Sequence, residues 1–118
     1  PGHNAMTIVG GKITTYRVLA EDVLAQIAPG TRGWTHAAPL PGGAIERARG
    51  EHGQAAFRRW LAQLQAAHAD YDPAIIRRLA HTIGAPTAGL LEGGLGRNLG
   101  GVFEAELEYF RSTEWATS

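Results

Sequence analysis

The stretch that most constrains this chain is MTIVGGKITTYR, residues 6–17, where the apolar spacing changes period across a pair of glycines. Before Gly10-Gly11, Met6 to Val9 is a short apolar run, which predicts a strand too short to persist without neighbouring strands. After it, Ile13, Tyr16, Leu19, Ala20, Val23, Leu24 and Ile27 recur at helical spacing. A helix that begins straight after two glycines leaves its first N–H groups unpaired, and its head carries about half a positive charge. Lys12 adds a mobile ammonium, and Thr14 and Thr15 add hydroxyls in the first turn. The set suits a phosphate, an oxyanion or an electron-rich ring. An ordinary strand–helix turn with threonine capping accounts for the same residues. The GxxxxGK[ST] spacing of a Walker A loop is absent.

Helix signals continue along the rest of the chain. Pro29-Gly30 ends the first helix, and TRGWTHAAPLPGG (31–43) reads as an irregular connection anchored by Trp34 and Leu40. Residues 51–68 place Phe57, Trp60, Leu61, Leu64 and Ala67 near a 3.6 period. Asp72-Pro73 is an N-cap followed by proline at the first helical position, opening PAIIRRLAHTIG with Ile75, Ile76, Leu79 and Ile83 inward and Gly84 as its stop. Pro86 opens a short helix ending near Leu91, and EGGLGRNLGG (92–101) reads as a flexible loop with no strand before it, so no dinucleotide fingerprint. A last helix runs from Phe103 to about Trp115, with Leu107, Phe110 and Trp115 inward. The expected core is Trp60, Leu61, Leu64, Ile75, Ile76, Leu79, Leu107 and Phe110.

Charge and composition remove several function classes. Lys plus Arg equals Asp plus Glu, 11 each, so there is no basic surplus for nucleic acid. With no cysteine there is no thiol nucleophile, disulfide or thiolate metal site. His3, His36, His52, His68 and His81 include no HxH or HxxxH pair, so no metal site is expected, and His81, between Leu79 and Ile83, is expected to be partly buried. Arg58-Arg59 and Arg77-Arg78 read as solvated helix faces or partners of nearby acids, and Trp34, Trp60 and Trp115 as core or interface anchors. No secretory signal opens the chain, and no apolar run approaches the roughly 20 residues of a membrane span. The abrupt PGH start and ATS end predict a piece of a longer protein.

Four blocks then occur in order: TIVGGKITTYRVLAEDVL (7–24), WTHAAPLPGG (34–43), YDPAIIRRLAHTIGA (71–85) and EAELEYFRSTEWA (104–116). Together they resemble the C-terminal portion of the FAD-dependent, aerobic glycerol-3-phosphate dehydrogenases. The chain departs from that pattern at Ile83-Gly84, where the family usually has Tyr-Gly, and at Phe110, where a more aliphatic residue is usual. It also ends before the family's following W-R-R-T-K helix.

The resemblance implies a mainly α fold with a short orphan strand. Residues 1–28 would be the end of an FAD-binding domain (strand, GGK turn, helix), and residues 29–118 a truncated C-terminal helical domain for packing or dimerisation, or for docking a partner or membrane. It implies that Gly10, Gly11, Lys12, Thr14 and Thr15 lie against FAD, with Lys12 also near the substrate phosphate, while Arg17, further along the helix, is expected in a structural ion pair. The implied reaction is oxidation of sn-glycerol 3-phosphate to dihydroxyacetone phosphate, with electrons passed to quinone, in a cytoplasmic enzyme peripheral to the cytoplasmic membrane. The GxGxxG unit and the remaining catalytic residues of the family lie upstream of these blocks. The piece alone is therefore expected to hold no catalytic residue, to bind no FAD and to be inactive. The alternative from a different class is a stand-alone helical interaction domain whose GGK turn is purely structural.

Overall fold

The structure is a computed structural model that describes residues 6–114. The chain divides into two compact units, Pro1–Pro39 and Leu40–Ser118. In the first, residues 6–12 have no regular structure, Ile13–Thr15 form a 3-10 turn, and helix α1 spans Tyr16–Ile27. The expected strand at Met6–Val9 is absent, and among the described residues no strand forms. Among the described residues this four-residue run finds no second edge to pair with, so its backbone has no ladder to join. The helix expected from Lys12 onward enters instead through the tighter 3-10 turn.

No residue of α1 is fully buried. Its apolar row, Tyr16, Leu19, Val23, Leu24 and Ile27, forms with Ile8 an open apolar groove of about 400 Å³. The connection that follows carries one 3-10 turn, Thr35–Ala37. The anchoring expected of Trp34 and Leu40 does not occur: they are 65% and 55% exposed. A tryptophan anchors only where its ring is largely covered, and at 65% exposure the Trp34 ring is not.

The second unit holds the core. Helices α2 (Gly53–Ala67), α3 (Pro73–Thr82), α4 (Thr87–Gly93) and α5 (Glu104–Thr113) start and stop where the breakers direct. Asp72 caps α3 by accepting from the Ala74 N–H at 2.8 Å, with Pro73 behind it. Gly84 ends that helix with φ +77°. A Cβ there would strike the backbone of Gly42, which also has a positive φ, and Gly42 in turn accepts from the Ala85 N–H at 2.8 Å. Two glycines thus let the LPGG loop and the end of α3 meet at backbone distance.

Ile76 and Leu79 are 0% exposed and form the core with Leu64, Ile83, Leu91 and Leu95. Trp60, Leu61, Ile75, Phe103, Tyr109 and Phe110 pack around them. Three expectations fail here. Leu107 is 51% exposed, and the helical position beside it, Glu106, is buried instead. The glycine-rich 92–101 segment is tied down rather than loose: Leu95 is buried, Asn98 Oδ1 accepts from the N–H groups of Gly100 and Gly101, and Asn98 bridges to Phe103. His81 is exposed, its ring 4.9 Å from that of Phe57, and not partly buried. Trp115 and His3 lie outside the described residues.

Glu106 explains the rotation of α5. Its carboxylate accepts two parallel bonds from Arg78, Nη1 to Oε2 and Nη2 to Oε1, both 2.7 Å, and a third from the Phe103 N–H at 2.9 Å. A buried carboxylate so paired is stabilised in its charged form, and the Arg78 guanidinium holds its pKa below the usual range. Elsewhere, Arg59 pairs with Glu51 at 2.9 Å, holding that carboxyl at about 2 and tying the 46–51 loop to α2. Thr87 is the exception to satisfaction: its buried hydroxyl has no partner among the described residues, which costs about 1–3 kcal/mol.

Truncating the fully buried Leu79 to Ala should cost about 2–5 kcal/mol in chemical denaturation, and an unchanged midpoint would contradict its placement. Because Glu106 has a lowered folded pKa, its contribution is complete above the unfolded value of 4.5 and is lost as pH falls through the folded value. The melting temperature should therefore drop as pH falls from about 5 to about 3, with a shallower drop in Glu106→Gln. Glu106→Gln should itself cost about 2–3 kcal/mol near neutrality, less than a fully buried broken pair because the Arg78 side chain is 39% exposed. An acid profile identical in the two proteins would remove Glu106 from this role.

Candidate functional site

The candidate site is the mouth of α1. Gly10 and Gly11 take φ values of +83° and +129°, open to glycine and strained for other residues. A Cβ at Gly10 would meet open space, whereas one at Gly11 would stand 3.0 Å from the Leu19 side chain. Lys12 is extended and precedes the 3-10 turn. Its carbonyl accepts from both the N–H of Thr15 (2.9 Å) and the Thr15 hydroxyl (3.0 Å). The N–H groups of Lys12, Ile13 and Thr14 face no protein acceptor among the described residues, as a helix head requires.

The structure brings some of the predicted residues together and leaves others apart. Gly10, Gly11 and Thr15 line a shallow cavity of about 250 Å³ with Val9, Val18, Leu19 and Asp22. Lys12 and Thr14 lie beside it, exposed, and are not part of its wall. The Thr15 hydroxyl proton is committed to the Lys12 carbonyl, so that oxygen can only accept. The arrangement can receive a flat, electron-rich edge or an anion on backbone N–H groups, with the glycines permitting close approach. Among the described residues no group of three or more His, Asp or Glu side chains is placed to hold a metal ion, and no helix is long and apolar enough to cross a membrane.

Arg17 corrects the expectation of an ion pair. Its Nη1 donates to the carbonyls of Thr35 and Ala38, the latter at 2.7 Å, and its Nε donates to the Tyr16 hydroxyl at 3.2 Å. Glu21, one turn on, was not singled out by the sequence. Its Oε1 accepts from the Thr35 N–H at 2.8 Å and the Thr35 hydroxyl at 2.6 Å, and these bonds hold its carboxyl below the usual range. The only sequence signal was the Arg-x-x-x-Glu spacing, which local reading assigns to an intrahelical pair.

The chain is 36% identical to a D-erythritol 1-phosphate dehydrogenase of Brucella abortus, across 98% of this chain and 24% of that protein. It is 38% identical to a glycerol-3-phosphate dehydrogenase of Pseudomonas tolaasii, across 95% of this chain and 22% of the relative. The aerobic glycerol-3-phosphate dehydrogenase of Escherichia coli is 35% identical across 93% of this chain and 22% of its own length. The chain thus spans under a quarter of the curated relatives it matches. No protein-family model matches it, and no solved structure does. Nearly the entire chain is similar to part of the glycerol-3-phosphate dehydrogenases.

Proposed function

We propose that this chain is the C-terminal portion of an FAD-dependent dehydrogenase that oxidises sn-glycerol 3-phosphate to dihydroxyacetone phosphate and passes the electrons to quinone. Similarity over nearly the whole chain to enzymes named for glycerol 3-phosphate carries the reading. A relative named for D-erythritol 1-phosphate is equally similar, which keeps the substrate class at small polyol monophosphates. On this reading residues 1–28 close an FAD-binding domain and residues 29–118 form the helical domain that follows. The enzyme would be cytoplasmic, peripheral on the membrane that holds the quinone, and the helical domain would serve packing between copies or docking.

The residues at the α1 mouth fit this assignment. FAD, when bound, supplies the hydride acceptor. Gly10 and Gly11 would let the backbone approach it, and the N–H groups of Lys12, Ile13 and Thr14 would face its electron-rich edge, adding positive potential where negative charge accumulates. The exposed Lys12 ammonium would reach the substrate phosphate. Thr14 and Thr15 would add a hydroxyl and an acceptor oxygen at the same turn.

Two outcomes test this. The isolated 118-residue chain should bind neither FAD nor glycerol 3-phosphate in a fluorescence or calorimetric titration, since the GxGxxG half of the flavin site belongs to an upstream segment in the family. Tight stoichiometric flavin binding would force a different reading. In the full enzyme, Lys12→Ala should lower kcat/KM for glycerol 3-phosphate by roughly a hundredfold, a loss of about 3 kcal/mol, with flavin content and melting temperature retained. Near-wild-type kcat/KM with an artificial acceptor would make the turn structural and favour a helical interaction domain.

A further inference from the structure

We propose that Arg17 and Glu21 act together as a latch that holds the connecting segment 34–38 down on α1. This goes beyond the enzymatic reading and does not depend on it. The two residues stand one helical turn apart and carry opposite charges, so the local expectation is that they pair with each other. Instead both reach outward to a single residue. Glu21 accepts from the N–H and the hydroxyl of Thr35, and Arg17 donates to the Thr35 carbonyl and to the carbonyl of Ala38. Every polar group of Thr35 is therefore held by α1, each by a charge of the appropriate sign.

A second observation supports the latch independently. Gly33 lies so close to the Glu21 carboxylate that a Cβ at that position would collide with it. Glycine at 33 leaves the Glu21 carboxylate in the place from which it reaches Thr35; a Cβ there would push the carboxylate aside. Apolar burial contributes little here, because no residue of α1 is fully buried and Trp34 is exposed. The segment is retained by a few charge-assisted hydrogen bonds, which open as a unit. A strap held this way can lift without unfolding the helix beneath it, whereas one held by buried apolar area cannot.

Hydrogen exchange by mass spectrometry on the 118-residue chain tests the latch. Arg17→Ala and Glu21→Ala should each speed exchange of the amides in 33–39 by about tenfold or more, with residues 56–106 unchanged. The double variant should be no faster than the faster single variant by more than about threefold, because either loss opens the same latch. Gly33→Ala, which keeps both charged residues but sets a Cβ against the Glu21 carboxylate, should give the same local acceleration and serves if a charge variant fails to fold. Unchanged exchange in 33–39, multiplying effects in the double variant, or acceleration spread equally over 56–106 would each overturn the proposal.

Discussion

The second unit turns on one buried carboxylate. Glu106 lies inside a helical core where an unpaired charge would cost several kcal/mol, so α5 can dock only in the rotation that presents it to Arg78. That rotation brings Phe103 and Phe110 inward and turns Leu107 to the surface. It also places α5 against α3, the helix whose Ile76 and Leu79 form the driest part of the core. The bidentate geometry matters, because a guanidinium fork meeting a carboxylate in parallel specifies orientation as well as charge.

The first unit rests on different physics. Its helix buries nothing completely, and its apolar row lines an open groove. Polar capture of Thr35 by Arg17 and Glu21 supplies the order that apolar packing does not. At the head of the same helix the backbone is shaped by Gly10 and Gly11 and closed by Thr15 on the Lys12 carbonyl. One helix therefore carries two polar features: a mouth with unpaired N–H groups and, further in, a grip on the following connection.

Both devices were half visible in the sequence. The glycine pair, the lysine and the threonines announced a helix mouth because each acts within a few residues of its own position. Local sequence points Arg17 to an ion pair, whereas its acceptors are carbonyls 18 and 21 positions away, and backbone carbonyls leave no residue-type signature. Glu106 carries no local signal of burial for a similar reason. A glutamate next to a leucine on an amphipathic helix is normally the exposed partner of the two.

The sequence by itself determined the helices, their starts and stops, the glycine turn and the resemblance to glycerol-3-phosphate dehydrogenases. Those are local matters: an Asp-Pro cap, a glycine at positive φ and an apolar period act through neighbours along the chain. Tertiary structure alone decided which side of α5 is buried, which acid each arginine meets, and that Met6–Val9 forms no strand. Each of those outcomes depends on a partner brought close by folding, such as Glu106 lying 28 positions from Arg78, or on a pairing strand, which the described residues do not supply.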